Sequence, residues 1–309
     1  MDERTNPLVR FIAEMSKPIF ERSMRGEIDY DNDLKALQKH LEMARQAKAP
    51  LEEARVINLI AVLNSMSGHL TLAEEQFTKL FTHNQTMGNK FGMVTALNNK
   101  AFFLTSLGRY EEASLLYQQG IEFCELAIKE TLKSYILVLS GQLAVCYMLG
   151  DYDKMPSYFE KIRSVEDDLL SKFSSHYAVV MSEVYRSMAE YHLHRKDYDE
   201  ATSMSRIGID FAKRLSLTFE LADLYYTQAH IALAQGDKTL AETYWAKAID
   251  ILDKVPAKSS VGRNYAQEAR YLERRGYMEY GRRFAQYAQD IFESLNMPED
   301  IQLTQVLLN

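Results

Sequence analysis

The sequence is poor in helix breakers, with 6 Pro and 13 Gly among 309 residues. Proline is excluded from helix interiors and glycine weakens them, so this scarcity leaves room for long, unbroken helices. Two cysteines, Cys124 and Cys146, are too few for a disulfide framework. They suit a reducing compartment, with small buried thiols as their expected use. No run approaches 18 consecutive apolar residues, so no membrane span is expected. The opening MDERTNPLVRF is charged and holds no apolar core of a secretory signal. A cytoplasmic location is therefore expected. A formal charge of −7 argues against generic nucleic-acid binding.

Chemistry-bearing motifs are missing as well. The chain has no Gly-rich phosphate loop, no HExxH, no GxSxG and no CxxC pair. No catalytic residue, cofactor or metal ligand is assigned, and an enzyme is not expected. Asp29, Asp31 and Asp33 imitate the start of a calcium loop. Leu34 stands where that loop needs Gly, and His40 where it needs a bidentate Glu. These acids are expected to cap the following helix instead. His192 and His194 lie two apart, so on a helix they point different ways and cannot share a metal.

What is present is a helical hairpin, read most plainly from Ala96 to Gly120. Leu97, Ala101, Leu104 and Leu107 line one face of a first helix. Gly108 suits the positive φ that ends it, and Ala113, Leu116, Tyr117 and Ile121 form the stripe of a second helix. Ala101 and Ala113 mark where the helices approach closely, with Tyr110 and Tyr117 beside them. A lone hairpin cannot bury such a stripe. The same unit recurs at turns anchored on Gly26, Gly68, Gly108, Gly150, Lys196, Gly236 and Gly276, which lie 42, 40, 42, 46, 40 and 40 residues apart. Period and pattern predict a stacked all-α array.

In the second helices, Ala73/Phe77, Ala113/Tyr117 and Ala241/Trp245 repeat an Ala-x3-aromatic element. A small residue recurs mid-way along the first helices at Ala61, Ala101, Ala144, Ala189, Ala229 and Ala269, and a turn aromatic at Tyr110, Tyr152 and Tyr198. On these residues the chain resembles the tetratricopeptide-repeat family, in a long-period variant like that of bacterial regulators. Ser205 and Met155 depart from the pattern, as do Gly281 and Ala285 in the last unit. The resemblance implies a single right-handed α-α superhelical solenoid of about seven hairpins. These cover roughly 7–46, 47–86, 87–128, 129–170, 171–214, 215–254 and 259–297. Residues 298–309 are expected to form a capping helix, with a swapped or partner-bound helix, and hence a homodimer, as the alternative. Linkers are expected to be continuous polar helix ends such as Thr82-His83-Asn84. Ser164–Tyr177 is expected to lengthen helices around a loop, and Val255–Gly262 to be the most loop-like link.

The resemblance further implies a concave wall made by the first helix of each hairpin. Its wall positions fall on Asn58, Val62 and Ser65, then on Asn98, Phe102 and Thr105. They continue with Arg186, Glu190 and His194, then Tyr226 and His230, then Arg270 and Arg274. Asn99 sits where peptide-binding members often carry a ligand-contacting asparagine. An amide both donates and accepts, which suits pinning an extended peptide, and Phe102 offers an apolar contact. Arg263, Arg270 and Arg274 share one helical face and suit an acidic segment or terminal carboxylate, while Glu268, Glu273 and Glu279 are their alternative partners. The expected function is a non-catalytic protein- or peptide-binding scaffold or adaptor. The alternative is a sensor of peptides or small effectors that grips and releases a partner protein.

Overall fold

A computed structural model describes residues 7–24, 27–126 and 128–308. Fifteen α-helices and one 3-10 turn are found among them, and no strand. In chain order they are α1 (Pro7–Met24), α2 (Tyr30–Gln46), α3 (Pro50–Met66), α4 (Leu70–Thr86), α5 (Lys90–Ser106), α6 (Tyr110–Glu125) and α7 (Ile128–Leu149). There follow α8 (Met155–Ser164), α9 (Glu166–His194), α10 (Tyr198–Arg214), α11 (Thr218–Ala234), α12 (Lys238–Leu252), α13 (Lys258–Arg274), α14 (Met278–Ser294) and α15 (Pro298–Leu308). The first fourteen pair into seven hairpins, with α15 after the last. The anchor expected at Gly26 lies outside the described residues.

One turn generates most of this architecture. Nine connections share a three-residue link whose middle residue takes positive φ: Lys48, Gly68, Gly88, Gly108, Lys196, Ser216, Gly236, Gly276 and Asn296. At Lys48 its N–H donates to the Arg45 carbonyl, and the Ala49 N–H reaches back to Ala44. That pair of bonds satisfies the last carbonyls of the helix, and Gly68, Gly88, Lys196, Ser216, Gly236, Gly276 and Asn296 repeat it. Links within and between hairpins are thus the same device. The expectation that such residues form the link is corrected: Thr82, His83 and Asn84 lie within α4, the latter two in its last turn, and Met87-Gly88-Asn89 makes the turn.

The small residues do what their spacing demands. Ala61, Ala101, Ala189 and Ala229, with Ala73, Ala113, Ala201 and Ala241 in the second helices, are fully buried, and Trp245 and Tyr110 are sealed with them. Ala144 is an exception, half-buried on α7, where Val145, Cys146 and Tyr147 turn inward. Ser205, in place of an aromatic, is buried and donates to the Leu224 carbonyl.

The segment around Ser164–Tyr177 holds no loop. A single residue, Val165, separates the short α8 from α9, whose 29 residues absorb the added length. Val255–Gly262 is loop only as far as Ala257. Gly262 belongs to α13, where an added Cβ would meet the Phe292 ring at 2.7 Å, so it serves close packing rather than a turn. The Thr131–Leu149 stretch of α7 is long and apolar enough to cross a membrane, against the sequence expectation. It is 72% buried among protein neighbours, as suits a core helix.

By contact the chain divides into two compact units. Unit 1 joins Met1–Gly108 to Pro256–Asn309, and unit 2 is Arg109–Val255. Unit 1 is therefore built from both chain ends.

Candidate functional site

In unit 1 the predicted wall residues of α3 and α5 come together. Asn99 Nδ2 donates to Asn58 Oδ1 at 2.9 Å, and Asn98 Nδ2 approaches Asn99 Oδ1 at 3.4 Å. The three half-buried amides form a short chain across two hairpins. Asn58 keeps its NH2 and Asn98 its carbonyl oxygen for another partner. Phe102, one turn beyond Asn98 and Asn99, is 68% exposed, a large apolar surface beside a run of amides.

The arginines of α13 in the same unit are differently used. Arg263 is 8% exposed; its Nε donates to Asp300 at 2.9 Å and its Nη1 to Ser65 Oγ at 3.0 Å. Arg270 donates to the Ser106 carbonyl at 3.3 Å, while Arg274 is exposed. The face expected to receive an acidic segment is corrected at Arg263, whose fork already grips an aspartate of α15. The missed signal was charge on the tail: Glu299 and Asp300 stand in the first turn of α15.

Unit 2 carries a second cluster, on α7, α9 and α11. Arg186 Nη1 donates to Asp223 Oδ2 at 2.8 Å and to Glu183 Oε2 at 3.2 Å, with the Tyr147 ring 5.3 Å away. Its Nε is buried with no partner among the described residues. Burial pushes the Glu183 carboxyl up to about 7, against the pull of Arg186. One helical turn on, Glu190 Oε1 accepts from Thr227 at 3.0 Å and meets His230 Nδ1 at 3.1 Å. Glu190 and His230 are 1% and 3% exposed. Tyr226, expected on the wall, is buried in the core, and Asp223 and Thr227 take the face it was assigned. His194 stacks on Tyr152 at 3.9 Å, and His192 lies 3.6 Å from Asp197.

Two further features resemble chemistry. Ser16 Oγ lies 2.9 Å from His40 Nδ1, but its proton goes to the Ile12 carbonyl, so His40 is the donor between them and activates nothing. Both residues are buried, and burial lowers the His40 pKa. Asp33, from the calcium-like triplet, is buried against Arg22, and Asp29 makes no capping bond to α2. Among the described residues no group of three or more His, Cys, Asp or Glu is arranged to hold a metal.

Tetratricopeptide-repeat models match residues 93–129 and 222–251. Two of its hairpins, α5–α6 and α11–α12, thus carry tetratricopeptide repeats. No curated protein matches the chain in sequence. Among solved structures, a Rap protein complexed with competence and sporulation factor is similar, with a TM-score of 0.66 at 14% identity. That match covers 94% of this chain and 76% of the other. BtubC from P. vanneervenii gives 0.56 at 15% identity over 72% of this chain and 91% of its own. A tetratricopeptide-repeat protein from Parabacteroides merdae gives 0.50 at 17% identity over 97% and 100%. At these identities the likeness is one of fold. Repeats of this family serve in general as non-catalytic scaffolds for protein interaction.

Proposed function

We propose that this chain is a non-catalytic scaffold or adaptor that holds an extended protein or peptide segment on the α3–α5 face of unit 1. The observation that carries this reading is the Asn58–Asn99–Asn98 amide chain beside the exposed ring of Phe102. Amides pair with a peptide backbone whatever its side chains, and an exposed ring supplies desolvated contact area. Concave helical repeats give a long binding surface without any catalytic group. A cytoplasmic site of action fits the two buried thiols, which burial pushes up to about 11.

The test is capture from native lysate by the wild type and by an Asn58→Ala/Asn98→Ala/Phe102→Ala variant of matched thermal stability. A protein retained only by the wild type supports the reading, and equal retention by both overturns it. A second reading, a sensor that grips and releases a partner, is favoured by the similarity to the Rap structure. It predicts that a small effector changes how much partner is retained.

A further inference from the structure

The helices at the end of the chain touch α3, α4 and α5 through their termini. The Glu299 carboxylate of α15 accepts from the Leu70 N–H at 3.2 Å, the Thr71 N–H at 3.1 Å and the Thr71 hydroxyl at 2.9 Å, all at the start of α4. Arg263 of α13 donates to the Ser65 carbonyl at 2.5 Å, at the end of α3. Gln267 and Arg270 donate at 3.3 Å to the Thr105 and Ser106 carbonyls that end α5. An acid meets a helix start, and bases meet helix ends, which is the favourable sense for the backbone dipoles.

The receiving helices lack these charges themselves. α4 has no acid in its first turn, and its N-cap residue His69 makes no capping bond. Neither α3 nor α5 has a basic residue in its last turn. The tail supplies in space what each helix is missing in sequence. Met297, lying against Gly68 at 2.9 Å from where a Cβ would stand, adds an apolar contact to this polar set.

We propose that α13–α15 is an electrostatic latch that closes over the ends of α3 and α5 and opens as one body. Arg263 and Asp300 hold its own helices together, so the latch keeps its shape on release. Thr105 lies one turn past Phe102, so the latch borders the α3–α5 face and its release widens the approach to that face. The gating role rests on the scaffold reading, whereas the latch motion is measured with no partner present.

The experiment places spin labels on Lys79→Cys in α4 and Val306→Cys in α15, two exposed positions, in the full chain. The native thiols are buried and stay unlabelled. Distances are measured in 0.05 M and 1 M salt, in this background and with Glu299→Gln/Arg270→Gln added. At 1 M the screening length falls to roughly 3 Å, which weakens charge–dipole contacts at a protein surface. The expected result is one short distance at low salt and a second, longer population in high salt. In the double variant that population rises roughly tenfold at equal salt. Modification of Thr105→Cys by a thiol reagent should speed up by the same factor. A single unchanged distance in every condition, with helix content intact, overturns the latch. So does a dimer by light scattering, since the hairpin would then be exchanged between two copies.

Discussion

The α3–α5 face of unit 1 and the α9–α11 face of unit 2 are built from the same repeat but carry opposite chemistry. Unit 1 presents neutral amides, half exposed, with spare donor and acceptor capacity beside an exposed ring. Unit 2 presents carboxylates against one guanidinium and one imidazole, closed over by their neighbours. A neutral amide is cheap to leave wet and cheap to re-pair, which suits exchange with a partner. A buried charge is costly once its partner is removed, which suits holding two hairpins in register. The contrast suits the first face to the recognition proposed for it and the second to cohesion.

The largest expected effect comes from breaking the cohesive face. Glu190→Ala leaves Thr227 and His230 buried without their shared acceptor, and should cost about 3 kcal/mol in urea unfolding. Asn99→Ala in unit 1 removes two half-exposed amide contacts, one of them long, and should cost about 1 kcal/mol or less. Equal losses at the two positions would erase the distinction between the faces.

A pH series sharpens the same comparison. The Glu183 carboxyl, pushed up to about 7 by burial, binds its proton more tightly in the folded chain than in the unfolded one. The resulting stabilisation is fully present below the unfolded value and is lost as pH rises through about 7. Glu183→Gln has no proton to lose. The Tm of the wild type relative to this variant should therefore fall between about pH 4.5 and pH 7, then level off. Parallel curves across that window would remove Glu183 from the account, whereas the wild type and Asn58→Ala, which both keep Glu183, should run parallel.

Much of the fold was legible because alanine spacing and turn glycines are local signals. Ala61, Ala101, Ala229 and Ala269 fell where close helix packing needs them, and Gly68, Gly108, Gly236 and Gly276 where the chain turns back. The connection between hairpins was not legible at Lys48 and Ser216, which take a conformation that their side chains do not advertise. In the candidate sites, Asn58 and Asn99 share a hydrogen bond because one period brings them level. Tyr226 and Arg263 were misplaced for different reasons. At Tyr226 the inward face is displaced from the expected phase, whereas Arg263 meets Asp300 and Ser65 through tertiary closure, which no periodicity encodes.

The smallest effect concerns these non-glycine turns. Lys196 sits at φ 64° in a turn that glycine fills at Gly236, with the same two return hydrogen bonds. An L side chain in this region costs roughly 1 kcal/mol, partly offset because glycine also frees the unfolded chain. Lys196→Gly should therefore raise the unfolding free energy by about 0.5 kcal/mol, and Gly236→Lys should lower it by about 1 kcal/mol. Matched urea curves on the two variants test whether the turns of α9–α10 and α11–α12 are equivalent. If Lys196→Gly is destabilising instead, the lysine side chain contributes a contact that outweighs backbone strain, and the two turns differ in more than their residue.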